Sequence, residues 1–256
     1  MFEASGEHLA GRHLERTAKE PRDRSLHNVV HNSQWLDVHV PNVPQAGGFT
    51  ITSPPSRAAP HKAAADDSTA LVPGYLELAI QRSPANPPAA WFWEQPLTLA
   101  TNPATAPRAH LSVRTGGSFV FPPPGVLAFA PLLRKVVLVA GGVDVNPFAS
   151  MLTHVANQRA SGPGFEVRVL YALRDPGRGR RVARELLFVE RMAAVFAEGK
   201  RRRIMVEALK AALEMDKRFA VAYACGVPAM TDAFVKELTS GDLGVEPHRV
   251  LHEKWW

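Results

Sequence analysis

Hydrophobic positions change rhythm partway along the 256 residues. Up to about residue 131 they come in short alternating stretches; beyond it they come in unbroken apolar runs separated by amphipathic ones. Trp35–Val40 alternates as a half-buried strand. The turn Pro41–Gly48 leads to a second strand at Phe49–Ser53. Tyr75–Gln81 reads as a third, and His110–Thr115 and Ser118–Phe121 flank Gly116-Gly117 as two more. Asn86–Trp93 predicts a short helix, with Asn86 as N-cap and prolines in the first turn, where a missing amide costs nothing. Pro54–Thr69, Thr101–Ala109 and Pro122–Pro131 are loops rich in Pro, Ser and Ala. The pattern predicts an antiparallel, small-barrel-like β domain over 34–131. A polar segment, 1–33, precedes it, with a short helix at Glu7–Ala18.

In the rear half, 132–256, Lys135–Ala140 (KVVLVA), Glu166–Ala172 (EVRVLYA) and Phe219–Ala224 are apolar runs of the kind buried on both faces of a parallel sheet. His248–His252 is a last strand. Helices are expected at Pro147–Gln158, Arg181–Phe196, Ile204–Met215 and Thr231–Leu238. Strands alternating with helices imply βαβ units and a parallel sheet. One step breaks the alternation. After Arg181–Phe196 the chain should return to a strand, yet it runs through Glu198-Gly199-Lys200-Arg201-Arg202-Arg203 into another helix.

Charge narrows the partners. The net charge is +6 and the pI about 9.8, with clusters at Arg174–Arg184 and Lys200–Arg203, which favours anionic ligands. No nucleic-acid-binding motif accompanies the basic runs and no aromatics interleave with them, so nucleic acid is not an expected partner. Cys225 is the single cysteine, which excludes an intramolecular disulfide and fits a reducing compartment. No apolar run approaches the ~20 residues of a membrane helix, so no membrane insertion is expected. Met1–Arg24 carries Glu3, Glu7, Glu15, Glu20 and Asp23 and matches neither a secretory signal nor an acid-poor presequence.

Candidate chemistry lies in two turns. VVLVAGGVDVNP ends a buried strand in Gly141-Gly142, and a helix begins near Asn146-Pro147. Glycines let a ligand approach the backbone, and the helix start offers free amides and a positive dipole end to a pyrophosphate. A plain strand–turn–helix connection reads the same way. Asp144 cuts against an anion there by like-charge repulsion, unless it serves as a cap. YACGVPAMTD repeats the arrangement with Cys225, Gly226 and Pro228. Two such strand ends would share one crevice at the carboxyl edge of the sheet. Cys225 is either a nicotinamide-positioning residue or a buried apolar thiol. Arg174, just past the second strand, is either a 2′-phosphate partner favouring NADP or part of a solvated loop. The histidines show no metal spacing, and Glu77 and Asp232 read as structural.

Taken in order, the chain resembles the ferredoxin–NADP reductase superfamily, and within it the oxidoreductase NAD-binding domain-containing proteins. The resemblance rests on HLERTA (His13–Ala18), QWLDVHVP (Gln34–Pro41), GGFTITSPP (Gly47–Pro55), LELAIQ (Leu76–Gln81) and NPPAAW (Asn86–Trp91). It continues through LSVRTGGSF (Leu111–Phe119), AGGVDVNP (Ala140–Pro147), YALR (Tyr171–Arg174), ELLF (Glu185–Phe188), CGVPAMTD (Cys225–Asp232) and the terminal EKWW. It implies a two-domain fold, an FAD-binding-type β-barrel followed by an α/β NAD(P)-binding domain. FAD (or FMN) would take a hydride from NAD or NADP and pass electrons to an acceptor that the sequence does not identify. Phe49, Thr50, Ile51, Thr52 and Ser53 would border the flavin. The Ala89 and Ala90 amides would face its pyrophosphate, and Gly116, Gly117 and Ser118 would close the pocket. Gly141, Gly142, Val143, Asp144 and Pro147 would line the dinucleotide turn, with Cys225, Gly226, Pro228 and Met230 near the nicotinamide and Trp256 over the flavin ring. Relatives suggest a mitochondrial or cytoplasmic protein.

The chain departs from the superfamily pattern at named places. Phe49-Thr50-Ile51-Thr52 replaces Arg-x-Tyr-Ser/Thr, and Asp144 replaces glycine. Two barrel strands between HLERTA and QWLD are expected to be missing, as is a sheet strand after the ELLF helix. A small barrel closes only when strand number, tilt and stagger agree. The resemblance therefore also admits a catalytically impaired remnant or mis-spliced product that acts, if at all, by binding.

Overall fold

The computed structural model describes residues 9–15, 31–62, 71–72, 74–95, 111–124, 132–158, 165–173, 187–193 and 206–255. The front half is a curled antiparallel sheet. β2 (Trp35–His39) is its centre, with β3 (Gly47–Thr50) and β7 (Ser112–Gly116) on either side. Ile51 then bridges to Leu78 in β6 (Tyr75–Gln81), which pairs along its whole length with β1 (Leu9–Glu15). A small hairpin, β4 (His61–Lys62) with β5 (Leu71–Val72), stands apart. Among the described residues no pairing joins β1 to β7.

Alternation does the work expected of it in β2, where Leu36 and Val38 are fully buried and His39 is exposed. These side chains meet Phe49, Ile51, Leu78, Ile80 and Phe92 in one front core. Phe92 comes from α1 (Pro87–Glu94), which Asn86 caps by accepting the Ala89 amide at 3.2 Å.

The rear half is a four-stranded, all-parallel sheet ordered β11 (Val250–Lys254), β10 (Ala220–Gly226), β8 (Lys135–Gly141), β9 (Glu166–Ala172). The central strands β8 and β10 are buried on both faces. α2 (Asn146–Gln158) helps close one face through Phe148, Met151 and Leu152. α4 (Val206–Leu213) and α5 (Pro228–Thr239) close the other through Leu209, Leu213 and Leu238. α3 (Val189–Ala193) lies beside α2. No helix among the described residues is long and apolar enough to cross a membrane.

Four elements differ from the sequence reading, the smallest being His61–Lys62, a hairpin strand within an expected loop. Leu9–Glu15 is a strand rather than part of a helix, because β6 offers a full ladder of backbone partners. Ser118–Phe121 forms no strand. Its main chain is satisfied by side chains instead: Asn32 brackets Phe121, accepting its amide and donating to its carbonyl, and the Tyr223 hydroxyl donates to Val120 O at 2.8 Å. Of the helix foreseen over Arg181–Phe196, the described residues hold α3 and, before it, a turn at Leu187-Phe188, where Phe188 has φ +55°, a left-handed conformation that a bulky residue rarely adopts. Lys200–Arg203, the expected site of a missing strand, lies outside the described residues.

Candidate functional site

The chain leaves β8 for β9 on one side of the rear sheet and later adds β10 on the other, so strand order reverses between β8 and β10. Ligands of open α/β sheets bind outside the carboxyl ends of strands at such a reversal. Both glycine turns fall there. Cys225 pairs with Ala140 across the strands, which sets Gly226 beside Gly141. The Met230 side chain covers both: a Cβ on Gly141 would lie 2.6 Å from its terminal carbon, and one on Gly226 2.0 Å. The two turns therefore share one edge under one methionine, and side-chain atoms are absent from both where Met230 packs. Gly142 has φ +61°, and a Cβ placed on it would meet nothing within 4 Å, which makes this an open backbone turn. The Tyr171 hydroxyl, from the end of β9, fastens that turn by donating to Gly142 O at 3.0 Å.

Asp144 follows in the tight turn Gly142–Val145 and is 7% exposed. Burial pushes its carboxyl up to about 6. Glu253 near the end of β11 is pushed up to about 7, first by burial and also by Asp144, while the Trp255 side chain pulls it the other way through a hydrogen bond. The same burial, with Asp144 and Glu253 nearby, drives the Cys225 thiol well above its ordinary range, again opposed by Trp255. Cys225 is fully buried and stays a neutral thiol. Val143 and Met230 are half-buried, Pro147 is buried, and Pro228 is exposed. Thr231 is fully buried and its hydroxyl has no protein partner.

Trp255 joins this edge to the front sheet. Its amide donates to Gly226 O at 3.3 Å, and its indole lies 3.7 Å from where a Cβ on Gly48 would be. The described aromatic between the two sheets is therefore Trp255; Trp256 and Arg174 lie outside the described residues.

The front residues expected at a flavin are largely committed to the fold. Phe49 packs edge-on against Phe92 at 5.6 Å, and Ile51 is fully buried. The Ile51 amide donates to Gln34 O and the Thr52 amide to Glu77 O. The Thr52 hydroxyl donates to Glu77 O, and the Ser53 hydroxyl accepts the Glu77 amide. Thr50 is buried. The Ala89 amide is held by the Asn86 side chain and the Ala90 amide by Asn86 O. Both amides expected to face a pyrophosphate are thus engaged in the helix's own cap. Gly116 and Gly117 make room for the Trp35 indole, which would lie 2.6 and 2.8 Å from their Cβ positions, while Ser118 is exposed.

Tyr171, Glu253 and Trp255 were not singled out from sequence as site residues. Each sits at the carboxyl end of a parallel strand, and the register that pairs Cys225 with Glu253 carries the last two to the crevice.

No family model matches the chain. Among curated proteins, oxidoreductase NAD-binding domain-containing protein 1 of Bos taurus is 31% identical over 248 residues, covering 87% of this chain and 70% of its own length. Among solved structures, the flavohemoglobin of Malassezia yamatoensis with bound FAD and heme is similar with a TM-score of 0.62 at 13% identity, covering 100% of this chain and 58% of that one. The FAD/NAD-binding domain of the Vibrio cholerae nitric oxide dioxygenase matches with a TM-score of 0.58 at 15% identity, covering 97% of this chain and 92% of that domain. At these identities the structural likeness establishes the ferredoxin reductase-like two-domain fold, and the sequence match establishes more: the chain belongs to the oxidoreductase NAD-binding domain-containing protein 1 family.

Proposed function

We propose that the protein is a pyridine-nucleotide-dependent oxidoreductase of the flavin type, taking a hydride from NADH or NADPH at the carboxyl edge of β8 and β10. The observation that carries this reading is the single edge formed by Gly141, Gly142 and Gly226 under Met230. Backbone amides at an open turn and a helix start are what a diphosphate needs. Gly142 supplies the open turn, and α2 begins at Asn146 just beyond it. Gly226 and Thr231 line the nicotinamide side, with Cys225 as a buried wall beneath. The structural relatives include proteins described as FAD- and NAD-binding, which supports carrying both cofactor classes to this chain.

The two cofactors fit unequally. The nicotinamide dinucleotide finds an open glycine turn and a buried unpartnered hydroxyl, with Asp144 as its one misfit. A flavin finds a flat seat at Gly48 beside the Trp255 indole. Its diphosphate finds the Ala89 and Ala90 amides engaged and Phe49 in the core. A flavin here would therefore be held through its ring more than its phosphates, and it would supply two-electron acceptor chemistry when bound. The chain's own part is to place the donor at the turns, to keep Cys225 neutral beneath it, and to present Trp255 at the boundary between donor and acceptor.

A visible absorption spectrum, combined with NADH and NADPH oxidation in the presence of added flavin and an artificial acceptor, tests this. Nucleotide-dependent reduction is the expected result. No reduction with either nucleotide under any flavin supplement would remove the enzymatic reading and leave a binding protein.

A further inference from the structure

The donor turn contains a side chain that a diphosphate should not tolerate. Asp144 is 7% exposed in the turn that begins at the open Gly142. The groups within electrostatic reach are Tyr171 from β9, Cys225 from β10 and Glu253 from β11, all neutral or acidic. At the start of α2, Asn146 spends its Nδ2 on Ala79 O. The start of α5 offers Met230 and Thr231, both uncharged, and Asp232 on that helix is paired with Lys254 at 2.6 Å. Among the described residues no cation offsets the Asp144 carboxylate; burial alone sets its proton affinity.

We propose that Asp144 sets the charge selectivity of the donor site: protonated, it admits the diphosphate of a pyridine dinucleotide, and ionised, it turns the site toward reduced nicotinamides that carry less charge. This rests on the dinucleotide reading of the two glycine turns. Its physical basis is linkage. A diphosphate beside a carboxyl raises that carboxyl's proton affinity further, so binding must take up a proton wherever the free carboxyl is ionised. With the ligand-free carboxyl titrating at about 6, affinity for a diphosphate falls as pH rises above that value, by up to about tenfold per pH unit. A ligand without phosphates feels no such penalty. Glu253 places a second acid on the same edge, and an ionised Asp144 raises its proton affinity in turn.

The test uses the whole purified chain and ADP-ribose, which carries the diphosphate, has no redox-active ring and does not itself titrate between pH 5.5 and 8.5. Affinity is followed by tryptophan fluorescence, and proton uptake by calorimetry in two buffers of different ionisation enthalpy. Wild type should lose roughly ten- to a hundredfold in ADP-ribose affinity between pH 6 and 8 and take up close to one proton per site at pH 7. Asp144→Asn should bind with a nearly flat profile and take up almost none. In turnover, the preference for NADH over dihydronicotinamide riboside should fall with rising pH in wild type and hold steady in Asp144→Asn. Identical pH profiles and proton counts in the two proteins would overturn the proposal while leaving the dinucleotide site standing. Absence of ADP-ribose and NADH binding in both proteins, each folded by circular dichroism, would overturn the underlying reading and this inference with it.

Discussion

Arg191 is the side chain whose removal should reveal how firmly the two sheets are joined. It projects from α3 in the rear half, yet its guanidinium serves both halves. Nη1 donates to the two Glu77 carboxylate oxygens at 3.2 and 3.1 Å, and Nη2 donates to Thr52 O and to the Thr153 hydroxyl, each at 3.1 Å. The side chains of Arg191 and Glu77 are 29% and 23% exposed. That places the pair between two limits: exposed ion pairs contribute about 0–1 kcal/mol, while breaking a buried pair costs about 3–5 kcal/mol because a charge is left unpaired. Arg191→Met keeps an apolar stem but removes the fork and the guanidinium that sits over the Phe188 ring, so a loss of roughly 2–3 kcal/mol is expected. At about 2–4 °C per kcal/mol for a chain of this size, the midpoint should drop by roughly 4–12 °C. Lysine should recover less than half, since an ammonium cannot reach both the carboxylate and Thr52 O in the forked geometry. Urea unfolding of wild type, Arg191→Met, Glu77→Gln and the double variant closes a cycle, and its coupling should be about 1–2 kcal/mol. A loss below about 0.5 kcal/mol, or a coupling near zero, would show that the clamp is a surface pair with no hold on the interface.

Four further outcomes follow from single observations. Asn32→Ala strips both partners from the buried main chain of Phe121 and should cost on the order of 2 kcal/mol in urea unfolding; an unchanged midpoint would mean water replaces the amide. Cys225, fully buried with its thiol pushed up, should resist thiol reagents at pH 8 in the native state and react only as fast as the protein opens, so rapid labelling would contradict the packing. Gly226→Ala should displace the Met230 tip from its 2.0 Å overlap and weaken nucleotide binding, and Met230→Ala in the same chain should restore it; additive losses would place the methionine elsewhere. Asp144 and Glu253 both bind protons more tightly folded than unfolded, so their effect is most favourable near pH 4 and is lost as pH rises through about 6 and 7. Asp144→Asn should therefore raise thermal stability at pH 8 while changing little near pH 4, and a uniform shift across that range would refute it.

Much of the rear sheet was legible because its signal is local. Lys135–Ala140 is an apolar run whose burial follows from composition, whereas Glu166–Ala172, expected to be equally buried, ends the described sheet and buries only Val167; the bounds of both differ from the expected ones by at most a residue. Asn86 announces α1 by a capping chemistry that needs no distant partner. What failed depended on groups remote in sequence. Leu9–Glu15 carries no strong preference of its own and takes the conformation that β6 imposes. Ser118–Phe121 has the alternation of a strand, but Asn32 and Tyr223 capture its backbone first. At the site, the glycine turns were visible as residues, whereas Tyr171 and Glu253 could be placed only once the parallel register was known.

Several backbone carbonyls of the front half face the rear half. Four such carbonyls are met by side chains of the rear half: Ser53 O by the Ser150 hydroxyl, Ala79 O by Asn146 Nδ2, Thr52 O by Arg191 and Val120 O by the Tyr223 hydroxyl. Ser33 adds a bond in the other direction, donating to Pro147 O at 2.8 Å. Phe119 and Phe121 leave the front sheet altogether and pack into the rear core against Phe148 and Tyr223. At about 1 kcal/mol each, the four bonds are comparable with the lower end of a domain's net stability of roughly 5–15 kcal/mol. The front half is therefore tied to its neighbour through its own backbone as well as by packing. The same docking fixes Gly48 beside Trp255, and so sets the distance between the glycine turns and the flavin seat proposed on β3. Stability of the front sheet and the geometry of the proposed hydride transfer thus depend on one interface, and a substitution that loosens Ser150, Asn146 or Arg191 should act on both at once.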